Sequence, residues 1–251
     1  MAKAKDRPAR LVLIRHGESM RNEAKRGKIY FADDASREAL KGIPDHKIHL
    51  TEEGLRQARE TGVYLRDTFP APDFLYDSGY ARTSQTAEGI LEAYSPKERD
   101  KIERRSNELI RERDHGYTYE MTEEEVRRWF PWYSGHRATF GSFFTRPPGG
   151  DSIADVANRV SLFLDMLFQY RGKMNVFVVT HGGTMKAFRY LLEHQEKEEP
   201  YDWASKWPEG EKPENCGITV YEFNRRAKRL VLQVQNHVAW EPLSPTKARP
   251  A

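Results

Sequence analysis

Leu11-Val12-Leu13-Ile14, running into Arg15-His16-Gly17-Glu18-Ser19, is the stretch that decides how the chain is read. Four successive aliphatic residues leave no polar face. The strand they form must be covered on both sides, as in a parallel sheet sandwiched by helices. A second run has the same form: Val176-Phe177-Val178-Val179 leads into Thr180-His181-Gly182-Gly183. In both, a histidine–glycine pair stands just past the strand's carboxyl end and before a helical pattern. That edge of an open α/β sheet is where ligands bind. Two buried strands that each deliver a histidine to one edge predict a shared site. The fold they predict is α/β, a three-layer α/β/α sandwich with a mostly parallel central sheet.

Working outward, residues 1–9 read as a loose basic leader. Residues 23–48 are too long for a plain connection and read as an excursion near the site. Thr51-Glu52-Glu53 offers a hydroxyl cap with acids in the first turn, predicting a helix to about Thr68. Phe74-Leu75-Tyr76 predicts a short strand, turned by Ser78-Gly79 into a helix from about Ala81 to Tyr94. Residues 97–114 carry seven basic and six acidic side chains and read as a solvated helix and loop. Leu109-Ile110 is a candidate short strand within them.

The aromatic-rich stretch 117–150 reads as a subsidiary helical cap with a small core of its own, the inserted region spanning about 113–150. Ser152-Ile153-Ala154-Asp155 matches a capping box and opens the clearest amphipathic helix in the chain. A strand over 175–180 and a helix from about Thr184 to Glu193 follow. Residues 194–214, with Trp203 and Trp207, read as a surface loop. Gly217–Phe223 and Arg229–Gln235 read as an edge hairpin, and 242–251 as a flexible tail. With no internal repeat or low-complexity linker, the expectation is one domain, 1–251, carrying the cap.

The 251 residues suffice for a sizeable core. Lys plus Arg exceeds Asp plus Glu by only three, too little to argue for nucleic acid. Cys216 is the only cysteine, which excludes an intrachain disulfide and a cysteine metal cluster and fits a reducing compartment. The four-residue apolar run after the basic leader is too short for a signal-peptide core, and nothing approaches membrane-spanning length. The expected location is the cytoplasm.

The residues beside the two histidines narrow the chemistry. Arg15, adjoining His16, disfavours a metal and suits an anion, because a guanidinium pairs bidentately with phosphate. Gly17 and Gly182-Gly183 leave backbone N–H groups open to that anion. Arg82, in the first turn of a helix following a strand, points toward the same edge. Arg15, His16, Arg82 and His181 therefore form a candidate phosphate pocket. A neutral imidazole can attack phosphorus in line, and the departing alkoxide then needs a carboxylic acid opposite. Glu112 and Asp114 are both candidates for that acid. His46 and His49 read as polar loop residues rather than a metal pair, and no metal or cofactor is expected. Arg127, Arg128, Arg137 and Arg146 would suit an anionic leaving group.

Taken together, Arg15-His16-Gly17-Glu18-Ser19 with Asn22, Ser78 through Ala87 with Arg82, Glu112, and Thr180-His181-Gly182 resemble, in order, the signature of the histidine phosphatase (phosphoglycerate mutase-like) superfamily. The resemblance covers about residues 10–194. It implies that His16 is the phosphorylated nucleophile and that Arg15, Arg82 and His181 bind the transferring phosphoryl group. It also implies Glu112 as proton donor, assistance from Asn22 and no metal, which leaves Asp114 a supporting role. Dedicated mutases follow their acid with Arg-His-Tyr-Gly, whereas this chain has Arg113-Asp114-His115-Gly116. That stretch and Arg146 to Ser152 look more like the phosphatase branch. The expected function is a metal-independent phosphomonoester hydrolase acting on a small phosphorylated molecule. A phosphoglycerate mutase and a catalytically inactive phospholigand-binding module are the alternatives.

Overall fold

The computed structural model describes residues 7–194 and 213–240. The elements in chain order are β1 (Arg10–Arg15), α1 (Met20–Lys25), α2 (Asp34–Glu38), α3 (Glu52–Thr68), β2 (Phe74–Asp77), α4 (Ala81–Leu91) and α5 (Pro96–Arg99). They continue with β3 (Glu103–Ser106), α6 (Glu123–Trp129), α7 (Tyr133–Phe144), α8 (Ile153–Tyr170), β4 (Asn175–Thr180), α9 (Gly182–Arg189), β5 (Ile218–Asn224) and β6 (Arg229–His237). The strands form one sheet in the order β3-β2-β4-β1-β5-β6. The first four run parallel and the β5–β6 hairpin antiparallel.

The all-apolar strands are covered on both faces, as their composition demands. Leu11 and Leu13 of β1, with Val176 and Val178 of β4, pack on α8 and α9 through Val156, Val160, Phe163 and Phe188. Val12 and Ile14, with Phe177 and Val179, face the other way onto Leu65 of α3 and Ala87 and Ile90 of α4. Burying each such side chain stabilises the fold by about 1.5–3 kcal/mol. The result is the expected three-layer α/β/α arrangement. Thr51 caps α3 through Gly54 N, and the predicted capping box at Ser152 and Asp155 opens α8.

The structure corrects four readings. The charged stretch 97–114 holds a strand, Glu103-Arg104-Arg105-Ser106, with every side chain exposed. It is the sheet's edge, where charges discourage pairing with other chains. Periodicity missed it because neither face is buried. Leu109-Ile110 instead lies in a 3-10 turn over Glu108–Ile110. The aromatic segment has no core cluster of its own among the described residues: Phe143 joins the main core, while Tyr117, Trp129, Trp132, Phe140 and Phe144 are exposed. The separate small core lies in the 23–48 excursion, where Phe31, Leu40 and Ile48 cluster. Finally, α4 stops at Leu91 and α9 spans Gly182–Arg189, continued by a wider turn over Tyr190–His194. The predicted loop over 195–212, with Trp203 and Trp207, the leader over 1–6 and the tail from 241 lie outside the described residues. No helix among the described residues is long and apolar enough to cross a membrane.

Candidate active site

Strand register assembles the site. β1 and β4 are adjacent and parallel, with Arg15 opposite Thr180. The next residue of each strand is a histidine, so His16 and His181 come side by side, ring centroids 5.2 Å apart. On the other flank of β4, Asp77 of β2 lies opposite Val179, which brings the following residue, Ser78, against His181.

Hydrogen bonds fix which nitrogen of each ring carries its proton. His16 Nδ1 lies 2.7 Å from the Gly17 carbonyl. A carbonyl only accepts, so Nδ1 is the protonated nitrogen and Nε2 of the neutral ring holds the lone pair. For His181 the order runs through two hydroxyls. The Thr83 hydroxyl donates to Tyr80 O at 2.8 Å, so the Ser78 hydroxyl donates to Thr83 at 2.9 Å. Ser78 Oγ then accepts from His181 Nε2 at 2.8 Å, and His181 Nδ1 is left with no partner in the site. Burial and the charges of Arg82, His16, Arg15 and Arg159 hold this imidazole well below its ordinary pKa.

Two arginines stand over the histidines. Arg15 is 5 % exposed. It donates to Pro213 O at 2.6 Å through Nη1, while its Nε is buried without a partner. An orphaned guanidinium N–H in a buried site costs free energy unless an acceptor arrives. Burial also lowers the pKa of Arg15, partly opposed by Glu112 and Glu214. Arg82 is equally buried, yet it is held by both carboxylate oxygens of Asp45, at 3.0 and 3.1 Å, and by the Asp45 carbonyl. Asp45 belongs to the 23–48 excursion.

Asn22 also joins the site. Its Oδ1 accepts from Ser19 N, Ser19 Oγ and Asn215 Nδ2, so the amide Nδ2 is the end left to donate. Asn215 Nδ2 also reaches His16 O at 3.2 Å. Gly17 packs against Gly54 so closely that a Cβ there would lie 2.5 Å from Gly54 O.

Glu112 sits on a loop held by donors from three elements. Arg159 of α8 binds the carbonyls of Leu109, Arg111 and Glu112. Thr180 binds Ile110 O and Thr184 binds Arg111 O, each at 2.7 Å. The Glu112 carboxylate accepts from Arg113 N at 2.8 Å, and only a glycine fits at 183, where a Cβ would lie 2.6 Å from Glu112 Oε1. Asp114, the other acid candidate, accepts from Gly116 N on the exposed side of this loop.

Arg15, His16, Asn22, Arg82, Glu112 and Gly182 all line one cavity of about 530 Å³, with His181 buried against His16 and Ser78. The structure therefore brings every expected site residue together. Sequence reading missed Asp45, Ser78, Thr83, Arg159 and Asn215. Their signal was weak, since each is an ordinary polar residue whose role depends on a partner distant in the chain. Of the four cap arginines, only Arg137 lines the cavity. Arg146 pairs with Asp155, Arg127 lies 4.0 Å from Glu123 and Arg128 lies over Trp129. Among the described residues, no group of three His, Cys, Asp or Glu side chains is arranged to hold a metal ion.

Known proteins share this pattern. The profile of the histidine phosphatase superfamily (branch 1) matches residues 11–235. Phosphoglycerate mutase-like protein AT74H of Arabidopsis thaliana is 34% identical over 201 residues, covering 72% of this chain and 64% of that protein. The chain thus matches a little under two thirds of that relative's length. A 2,3-bisphosphoglycerate-dependent phosphoglycerate mutase of Rhizobium etli is 30% identical, covering 73% of this chain and 79% of that protein. The broad-range acid phosphatase DET1 of Saccharomyces cerevisiae is 26% identical, covering 76% and 81%. Among solved structures, a putative alpha-ribazole-5'-P phosphatase from Escherichia coli superposes with a TM-score of 0.68 at 18% identity, covering 94% of this chain and all of that one.

Proposed function

Since the chain belongs to the histidine phosphatase superfamily, branch 1, we propose that it is a phosphomonoester hydrolase working through a phosphohistidine at His16. The observation that carries this reading is a nucleophile and an anion site built into one buried edge. His16 Nε2 holds a lone pair, and beside it Arg15 presents an unsatisfied N–H.

The phosphoryl group of the substrate settles between Arg15, Arg82, His181 and the Asn22 amide. These donors match the charge on the non-bridging oxygens, and most of the rate enhancement in phosphoryl transfer comes from such positioning and charge. His16 Nε2 bonds to phosphorus as the ester P–O bond breaks. The electron pair leaves on the alcohol oxygen, which takes a proton from Glu112. Glu112, now a carboxylate, removes a proton from water, whose oxygen attacks the phosphohistidine. Phosphate leaves and the His16 lone pair is restored.

His181, neutral in the empty site, takes up a proton at Nδ1 when a phosphate dianion arrives, because the anion offsets the positive field that depresses its pKa. In this reading the segment of about 113–150 acts as a cap over the cavity. The lone buried cysteine fits a cytoplasmic setting.

A mutase, which would return the phosphoryl group to a second hydroxyl, is favoured by the Rhizobium relative. The Arg113-Asp114-His115-Gly116 stretch weighs against it. The deciding experiment follows phosphate release from an aryl phosphate with a chelator present. The wild type turns over; His16→Ala loses at least about a thousandfold, and Glu112→Gln loses about 10²–10⁴-fold. Turnover undiminished in His16→Ala would overturn the nucleophile assignment. Activity that appears only with a bisphosphorylated primer would favour the mutase.

A further inference from the structure

The cavity carries more positive charge than one phosphoryl group can neutralise. Beyond the floor formed by Arg15, His16 and Arg82, its outer part is lined by Lys25, Lys28, Arg113, Arg137 and Lys186. These five cations come from the end of α1 and the loop after it, the Glu112 loop, α7 and α9. They are therefore not a charge run on one solvated face; the fold gathers them.

The described lining supplies only two carboxylates, Asp45 and Glu112, and Asp45 is already engaged by Arg82. The side chains of Lys28 and Arg113 form no hydrogen bond or ion pair among the described residues. Like charges gathered at a partly desolvated cavity repel one another, and the cavity focuses their field on an incoming anion. His115, on the same wall, registers that field. Desolvation, then Arg113, Lys25, Arg21 and Arg82, hold its pKa well below the ordinary value.

We infer that the rim is a second anion site, built for a phosphate carried by the leaving group, so that the preferred substrate is a bisphosphate. A carboxylate brings one negative charge and is matched by one arginine. Five cations in addition to the floor suit a dianion or more. The cavity volume of about 530 Å³ falls in the range that takes a whole small ligand. One phosphate is transferred to His16 on the floor. The other stays bonded to the alcohol, is held by the rim, and departs with the product unchanged. This inference rests on the hydrolase reading.

The test compares kcat/KM of the full-length protein for fructose 1,6-bisphosphate, fructose 6-phosphate and 3-phosphoglycerate, with p-nitrophenyl phosphate as the single-anion reference. The bisphosphate is expected to exceed fructose 6-phosphate by at least about tenfold. That preference should shrink toward one in a Lys28→Ala, Arg113→Ala double variant, and should fall as ionic strength rises. Equal values for the two sugar phosphates, or a preference that survives in the double variant, would overturn the site. A preference for 3-phosphoglycerate over the bisphosphate would overturn the phosphate assignment in favour of a carboxylate.

The binding arm does not depend on turnover. Calorimetry on His16→Ala should give a dissociation constant at least about tenfold lower for fructose 1,6-bisphosphate than for fructose 6-phosphate. Tighter bisphosphate binding with no hydrolysis by the wild type would sink the hydrolase reading and keep the rim. Hydrolysis of the aryl phosphate with equal binding of the two sugars would do the reverse.

Discussion

The floor and the rim of the cavity are built on opposite principles. On the floor, almost every polar atom has a fixed partner: His16 Nδ1 on Gly17 O, His181 Nε2 on Ser78, and the Glu112 loop on Arg159, Thr180 and Thr184. It stands on the two central strands, whose side chains are fully buried. The rim is made of long cationic side chains on the 23–48 excursion, the Glu112 loop, α7 and α9, half-buried or exposed. A floor of this kind holds reacting atoms in place, and pre-organisation is what phosphoryl transfer needs. A rim of this kind adapts, and it suits selection among leaving groups. Lesions on the floor should damage stability and chemistry for every substrate, whereas lesions at the rim should re-sort substrates.

Glycine substitutions test the contrast most sharply. A Cβ at Gly54 would lie 2.0 Å from Glu18 O, and backbone cannot swing aside as a side chain can. Gly54→Ala should cost about 3 kcal/mol of stability. Gly135, in α7 on the rim side, has nothing within 4 Å, and Gly135→Ala should stabilise by about 0.5–1 kcal/mol. Urea midpoints read both, and equal shifts at the two positions would abolish the distinction.

The next effect belongs to the hydroxyl relay. Ser78→Ala removes the acceptor that fixes the His181 tautomer, and kcat/KM for an aryl phosphate should fall about tenfold while the melting temperature changes little. The sign of the accompanying pH effect follows from His181, whose pKa in the empty site is depressed and which bound dianion should raise. Phosphate binding near neutral pH should therefore take up a proton in the wild type, measurable as a dependence of binding enthalpy on the buffer's own ionisation enthalpy. Ser78→Ala should alter that uptake. Proton release on binding, or a variant with unchanged kinetics, would show that the relay sets nothing.

The smallest effect lies where rim meets floor. Asp45, from the excursion, holds Arg82 in a two-point ion pair that an incoming phosphate must displace. Asp45→Asn removes the competing charge, and inorganic phosphate should bind a few-fold more tightly. Weaker binding in this variant would mean that Asp45 orients Arg82 for the anion instead of competing with it.

Much of this was legible beforehand, for reasons that differ by element. The apolar runs of β1 and β4, the Thr51 cap and the Ser152 box are local signals, read within a few residues, and each recurs in the structure as expected. The edge strand β3 escaped because burial writes a strand's pattern and its charged side chains are all exposed. The aromatic segment misled for a related reason: aromatic content promises a core only where a second surface covers it, and most of those rings lie open.

The sequence by itself determined that two fully apolar strands end in His16 and His181, with arginines and glycines beside them. That alone dictates a helix-covered sheet with an anion site at its carboxyl edge. Tertiary structure decided the rest: which strands are neighbours and in what register, hence that His181 meets Ser78, 103 positions away, that Asp45 reaches Arg82, and that cations from separate segments ring one cavity. Caps and periodicities act over a turn or two of chain. Contacts across a sheet edge depend on the path of the whole chain, and no short window of residues encodes that path.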